Sequence, residues 1–440
     1  MRSTWKLSHL LEKQATGQKA EPMPSLLSLN TYNYRRGGSD VVFLEHDAMF
    51  RAQGWDTAVM TMHHPKNDPS PWSRFFADEI EFGHEYGALA KLAMAGKVIY
   101  SGEAKRKISA LLDAFPADVA HAHCIYHHLS PSVLVELKQR GIPTVMTAHD
   151  LKLACPAYKM LNRGGVCEKC RSGNLLHLLA NRCIRDSLPV SGLIMLESAV
   201  HKSLGLYKRN LDRVVAPSLF YKQKLVEWGW PERQLAYIPN YVVSDAYIPQ
   251  YEPGKYFFYF GRLALEKGVA TLIRAAARAG VKLRIAGTGP EGEVLKALAV
   301  DVGGDIEFLG FVSGEPLWKL VREARAVVLP SEWYENAPMS ALESYACGKP
   351  VLGARIGGIP EMVREGETGA LFESGNVEEL SALLARFAAM PDAQISVMGE
   401  AARAYVTETF TAERYLREML SLYTDLGVRV DAPGMARKVI

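Results

Sequence analysis

The sequence has no run of roughly 18 to 20 uncharged apolar residues, the length a helix needs to span a bilayer. Its opening Met1-Arg2-Ser3-Thr4-Trp5-Lys6 lacks the apolar core of a secretory signal. Neither a membrane-spanning nor a secreted chain is expected, and the reading is of a cytoplasmic protein, soluble or peripheral on the inner face of a membrane. Net charge is also sparse, at +3, and the Lys and Arg residues are scattered with no recognition motif beside them, which argues against nucleic acid as a partner. Cysteine is scarce, six in 440 residues. Apolar content is not: 48% hydrophobic against 22% charged over this length suits about two globular domains, each with its own core.

The small net charge conceals an asymmetry. Residues 1–245 hold 30 Lys and Arg against 23 Asp and Glu, and residues 246–440 hold 21 against 25. A basic first half suits an anionic lipid or a phosphorylated acceptor, although a solvated surface is the plainer reading.

Residues 1–24 carry Lys, Gln, Ser and Pro without periodicity and read as a flexible extension. From Ser25 the pattern alternates: strand 26–29, a Gly37-Gly38 loop, helix 39–53 and strand 57–62, then helix 103–115, strand 118–123, helix 131–140 and strand 143–147. A second series follows the Pro and Tyr punctuation of 238–253, with strands at 256–260, 281–286, 306–309 and 326–329 and Ala- and Leu-rich helices between them. Strands alternating with helices predict mainly parallel sheets covered on both faces. The expected organisation is α/β, with a domain at 25–245, a boundary near 245–254, a second domain at 255–410, and a helix and tail at 411–440 that can pack back on the first domain.

The most informative stretch is 330–350, which follows an apolar strand. Pro338 suits a first helical turn and Gly348 the residue past the helix end, so Glu335 stands before the helix and Glu343 within it. A helix start offers unpaired N–H groups to sugar or phosphate oxygens, and a carboxylate further along can accept both hydroxyls of a ribose. Upstream, Arg262 and Lys267 follow the first strand of the second domain, where two cations neutralise a diphosphate leaving group without a metal. Gly37 and Gly38 let backbone approach phosphate from the opposite wall.

These segments resemble the family 4 glycosyltransferases, from about Ser25 to Arg417. The resemblance implies two Rossmann-like domains facing across a cleft, the glycosyltransferase B architecture, and a retaining transfer from a nucleotide-diphosphate sugar to a glycan or lipid-linked acceptor in surface polysaccharide or glycoconjugate synthesis. It implies that Glu335 contacts the transferred sugar, that backbone from Asn336 through Ala337, Pro338 and Met339 holds the sugar hydroxyls, that Glu343 binds the ribose, and that Arg262 and Lys267 hold the pyrophosphate. Family members often have Gly where this chain has Asn336. A nucleotide-sugar epimerase and a sugar-nucleotide-binding protein without transfer activity are the competing readings.

His149, in Thr147-Ala148-His149-Asp150, ends a strand at the edge where open α/β sheets bind ligands. The resemblance places it near the donor sugar, supporting the transition state. His121, His123, His127 and His128 have no carboxylate to complete a metal set and are expected to line the acceptor cleft. Cys155, Cys167, Cys170 and Cys183 form C-x11-C-x2-C-x12-C, a structural zinc pattern, with free or disulfide-bonded thiols and an iron–sulfur cluster as the other readings. Cys124 and Cys347 read as packing residues. The Leu-rich stretch 175–206 reads as a core-facing helix, with a membrane-surface helix as its alternative.

Overall fold

The computed structural model describes residues 23–79 and 88–430, with backbone alone for 88–93. The predicted extension at 1–24, apart from Met23 and Pro24, and the tail beyond 430 lie outside the described residues.

Leu26, Leu27 and Leu29 are wholly buried in β1 (Ser25–Leu29), as a parallel strand covered on both faces requires. With β2 (Asp56–Met60), β3 (Val119–Ala122), β4 (Thr144–Thr147), β5 (Arg213–Ala216) and β6 (Leu235–Tyr237) it forms a parallel sheet of order β2-β1-β3-β4-β5-β6. A second parallel sheet, of order β9-β8-β7-β10-β11-β12, contains β7 (Tyr256–Phe260), β8 (Lys282–Ala286), β9 (Ile306–Gly310), β10 (Ala326–Leu329), β11 (Val351–Ala354) and β12 (Gly369–Phe372). Each sheet carries an apolar core on both faces, so this is the two-domain glycosyltransferase B architecture. β5, β6, β11 and β12 are absent from the sequence reading.

Five helices matter for the site: α1 (Gly38–Ala52), α2 (Leu188–Leu204), α3 (Leu219–Glu227), α4 (Met339–Ala346) and α5 (Ala412–Asp425). The last follows the second domain in sequence but buries Tyr415, Leu416, Met419 and Tyr423 against Leu26, Phe50, Trp55 and Val119 of the first. At about 1.5–3 kcal/mol for each large apolar side chain buried, these contacts tie the chain's last helix to the first sheet.

Polar contacts also cross between the domains. The Glu361 carboxylate accepts from the N–H groups of Leu219 and Phe220 at the start of α3, where the helix dipole favours negative charge. Lys159 pairs with Glu266 at 2.8 Å, and the Tyr334 hydroxyl donates to Glu168 at 2.9 Å. Lys159 and Glu168 belong to the four-cysteine segment, whose regular structure is a two-residue ribbon (Leu161–Asn162 with Gly165–Val166), a 3-10 turn and the short helix Leu176–Ala180. This loop-rich segment reaches the second domain.

Candidate active site

A cleft of about 880 Å³ lies between the domains. One wall is Arg36, Gly37 and Gly38 at the start of α1; the other is built by the loops that follow β7, β8, β9 and β10. Ligands of open parallel sheets bind beyond such carboxyl ends. Gly37, Gly38, Arg262, Lys267, Glu335, Pro338, Met339 and Glu343 line this one cavity. Gly38 faces Met339 across it: a Cβ on the glycine would sit 3.7 Å from the methionine Cγ.

Lys267 ends a 3-10 turn (Leu265–Lys267) and reaches Glu335, its Nζ 2.7 Å from Oε1. The Ser331 hydroxyl donates to the same oxygen at 2.7 Å. Burial pushes the Glu335 carboxyl up, but the Lys267 charge and these two hydrogen bonds outweigh it and hold the group below its ordinary value. The turn requires Gly268, at φ +65°, since a Cβ there would stand 1.8 Å from the Pro330 carbonyl oxygen. Arg262 makes no salt bridge among the described residues, so its guanidinium is available to an anion entering the cleft.

Glu343, on α4, accepts no side-chain hydrogen bond among the described residues. Burial, and then the charge of Glu45 on α1, push its carboxyl up to about 7. It is an acceptor without a donor, as a ribose-binding carboxylate would be before its ligand arrives.

Asn336 and Ala337 lie outside the main cavity, in a small adjoining one with Ser218 and Gly358. The Asn336 amide joins the domains: Nδ2 donates to the carbonyls of Ala148 (2.8 Å) and His149 (3.3 Å), and Oδ1 accepts from the Ser218 hydroxyl at 2.7 Å. Gly358 passes so close that a Cβ would lie 2.0 Å from the Asn336 carbonyl oxygen. A glycine at 336 could make none of the three side-chain bonds. Asn336→Gly is therefore expected to destabilise the chain by about 1–3 kcal/mol and to open the cleft. Denaturant unfolding and the radius of gyration from solution scattering check this, and an unchanged radius with unchanged stability would refute it.

The histidines differ from expectation. His121 and His123 are wholly buried and line no acceptor cleft. They sit two residues apart, on the same face of the chain at β3, and stack on each other; His123 also stacks on His149, and His46 packs at a tilt against His121. His121 bonds the hydroxyls of Tyr423 (2.6 Å) and Thr147 (2.7 Å), and His46 bonds those of Tyr415 and Tyr423. Tyrosines of α5 thus fill the imidazole layer. His149 does not line the cleft either; its Nε2 lies 2.8 Å from His123 Nδ1, and burial pulls its pKa down to about 4, leaving the ring neutral at pH 7. His127 pairs with Glu197 at 3.2 Å, and His128 packs against Tyr32.

The four cysteines line one small cavity with His177. None is in a disulfide, and burial together with the neighbouring thiols raises Cys170 and Cys183 to about 11. No three His, Cys, Asp or Glu groups stand close enough to hold a metal ion among the described residues. Cys347 is buried and Cys124 half-buried. The stretch 175–206 faces the core on one side: Leu178 is in the core, Leu175, Ile184 and Met195 pack against it, and α2 buries Ser191, Glu197, Ser198 and His201 beside Ile194, while Leu188, Leu196 and Leu204 are exposed. The buried Lys152–Glu197 pair, at 2.8 Å, claims the inner face for polar groups. No described helix is long and apolar enough to cross a membrane.

Ser218, Ser331, Glu45 and the loop Gly287-Thr288-Gly289-Pro290 are additions to the residues read from sequence. Only the last left a signal, a glycine-rich loop directly after a strand.

Comparison with known proteins places this geometry. A family model for a glycosyl transferase 4-like domain matches residues 37–241, and one for glycosyl transferases group 1 matches 245–405. An uncharacterized glycosyltransferase of Methanocaldococcus jannaschii is 39% identical over 121 residues, 26% of this chain and 31% of that protein. A D-inositol 3-phosphate glycosyltransferase of Mycobacterium avium is 33% identical over 173 residues, 38% of this chain and 40% of that one. The matched segments thus span between three and four tenths of these relatives' length. Among solved structures, sucrose-phosphate synthase from Thermosynechococcus elongatus superposes with a TM-score of 0.68 at 20% identity, covering 92% of this chain and 99% of that one. HepE of Anabaena, in complex with UDP and glucose, gives 0.64 at 16%, covering 91% and 100%. With one family model on each domain and the shared two-sheet architecture, the chain belongs to the family 4 glycosyltransferases of glycosyltransferase B fold.

Proposed function

We propose that the chain is a retaining glycosyltransferase that moves a sugar from a nucleotide-diphosphate donor to an acceptor hydroxyl by front-face displacement. The observation that carries this reading is the convergence of Arg262, the Lys267–Glu335 pair and the donor-less Glu343 on one interdomain cleft. HepE holds UDP and glucose, which supports a nucleotide-sugar donor, and the Mycobacterium avium relative is named a D-inositol 3-phosphate glycosyltransferase.

Arg262 and Lys267 stabilise the charge that develops on the leaving diphosphate, so the transfer needs no catalytic metal. Glu335 orients the sugar; its Oε1 is taken by Lys267 and Ser331, and the group acts by hydrogen bonding and charge, not as a covalent nucleophile. Backbone at Pro338 and Met339 holds sugar hydroxyls, with Asn336 and Ala337 bracing that loop from the adjoining cavity, Glu343 takes the ribose, and Gly37 and Gly38 approach the phosphates. The acceptor attacks on the face the diphosphate leaves, and the leaving oxygen takes its proton. His149, neutral and held by His123, supports the transition state from behind the wall, through the Asn336 amide that donates to its carbonyl. The acceptor is a glycan or a lipid-linked sugar of surface polysaccharide synthesis, met by a cytoplasmic protein in peripheral contact with the membrane; the exposed leucines of α2 support that contact. Cys155, Cys167, Cys170 and Cys183, gathered on one small cavity, would hold a structural zinc ion once drawn within coordinating distance, and the ion would then staple a segment with little regular structure of its own.

The test is a panel of UDP-, GDP- and ADP-sugars with and without EDTA, following diphosphate release and product configuration, with zinc measured in the same preparation. Release from one donor, surviving brief chelation and giving a retained linkage in the presence of acceptor, is expected. Donor binding without release across a broad acceptor panel would move the reading to a sugar-nucleotide-binding protein, and product without acceptor would move it to an epimerase.

A further inference from the structure

A second cavity, of about 330 Å³, opens in the first domain beside α2, the Trp228–Trp230 turn after α3 and the four-cysteine segment, and it shares no lining residue with the cleft. Among the described residues its lining includes Lys152, Arg171, His201, Lys202 and Lys208 and no Asp or Glu. Two of these cations are already engaged: Lys152 by Glu197 at 2.8 Å, and Arg171 by Glu168 and Glu227 at 3.8 and 3.6 Å.

Lys202 and Lys208 differ. Neither makes a salt bridge among the described residues. The Lys202 ammonium lies 5.7 Å from the centre of the Trp228 ring and that of Lys208 lies 5.5 Å from Trp230, so each cation is held over an aromatic wall. Lys208 Nζ donates to the Gly229 carbonyl at 2.8 Å, which orients it without neutralising it. Burial, and then the like charge of Lys202, pull the Lys208 ammonium below its ordinary value. Two like charges brought to one pocket with no counter-ion are stabilised when an anion enters.

We propose that this cavity binds a phosphoryl group, carried by a soluble phosphate ester or by the headgroup of an anionic lipid, between Lys202 and Lys208. The volume is at the small end for ligand pockets and admits one phosphorylated ring against the tryptophans. Leu196 and Leu204 stand exposed on the helix that contributes Lys202, so a lipid headgroup could be reached from the same side.

The probes are inorganic phosphate, by titration calorimetry, and vesicles of phosphatidylglycerol with phosphatidylcholine against phosphatidylcholine alone, by co-sedimentation. Wild type is compared with Lys202→Met/Lys208→Met, which keeps the apolar stems, and with the cleft variant Arg262→Ala/Lys267→Ala. Phosphate binding that persists in the cleft variant and weakens at least about tenfold in the pocket variant is expected. Thermal unfolding of the pocket variant at the wild-type temperature, and of the cleft variant above the assay temperature, establishes that both fold. A parallel loss of binding to the anionic vesicles identifies a lipid headgroup, and vesicle binding unchanged by the pocket variant identifies a soluble ester. Equal phosphate binding by wild type and pocket variant, or none by either, overturns the proposal. None of these results depends on the donor-site reading, since no sugar nucleotide is present.

Discussion

Lys267→Ala is expected to lower the transfer rate by about 10²–10³-fold, the effect of removing one preorganised donor from a developing oxyanion, and to destabilise the chain as well. The two losses have separate causes. The first comes from the missing cation beside the leaving diphosphate. The second comes from Glu335, left buried with Ser331 as its side-chain partner. Breaking a buried pair costs about 3–5 kcal/mol when the remaining charge stays put, but a carboxylate can take up a proton, and at about 1.4 kcal/mol per pH unit above its ordinary value the cost near pH 7 is held to about 3 kcal/mol. The sign with pH follows. In the wild type, Glu335 is held below its ordinary value, so its contribution is present above about pH 4.5 and lost as pH falls through the depressed value. In Lys267→Ala the same carboxyl is raised, so its penalty is present at neutral pH and relieved on acidification. Unfolding curves at pH 7.5 and pH 5 should show the gap narrowing at the lower pH. Lys267→Ala/Glu335→Gln should recover stability and remain slow. A single variant that loses activity with full stability at both pH values would show that the pair is not the buried charge couple described above.

Elements came out of the sequence where period and punctuation agreed. β1, β3, β7, β8 and β10 are short apolar runs between turn signals, and α1 has apolar residues at helical spacing, so their bounds fall within two residues of the reading. Two of the four strands missed, β11 and β12, have a composition set by close approach. β11 contains Gly353, where a Cβ would lie 2.6 Å from the Ile359 side chain, and β12 begins at Gly369, where it would lie 1.9 Å from the Val351 carbonyl oxygen. Glycine at such points is a tertiary requirement that reads locally as a turn. The cleft divides in the same way. Arg262, Lys267, Glu335 and Glu343 sit at fixed distances from strand ends and helix starts, and that spacing together with the family resemblance marked them. Glu45 and Ser218 act from the other domain, and nothing near them in sequence signals a partner more than 100 residues away. The histidines mislead for a related reason. A His-x-His pair on a strand points both rings one way, but whether that way is cleft or core depended on the tyrosines of α5, some 300 residues on.

Glu343→Gln is expected to make the chain more stable and worse at binding its donor. Burial and the charge of Glu45 hold the Glu343 carboxyl at about 7, against an ordinary value of 4.5, so the folded chain binds a proton that the unfolded chain releases between those values. Stability therefore falls as pH rises from about 4.5 to 7 and stays lower above. A glutamine has no charge to bury and escapes this penalty, so the variant should unfold at a higher temperature than wild type above about pH 5, by a margin that grows to pH 7 and then holds. Binding runs the other way. An ionised carboxylate accepts two ribose hydroxyls, and hydrogen bonds to a charged group contribute about 1.5–3 kcal/mol, so the donor KM should rise by about tenfold or more in the variant. In wild type the donor KM should fall as pH rises through about 7, since the ionised form is the better acceptor, and in Glu343→Gln that dependence should disappear. Donor binding itself offers two hydroxyls to the carboxylate and favours its ionisation, so the pKa in the complex should lie below that in the empty cleft, and the binding step should release protons at pH 7, detectable as a buffer-dependent heat. A variant that keeps the wild-type KM and pH profile would remove Glu343 from the ribose, and one less stable than wild type at pH 8 would mean that the carboxylate has a cationic partner in the empty cleft. Strain of this kind, a charge desolvated before its ligand arrives, is what a binding site retains at the expense of the fold.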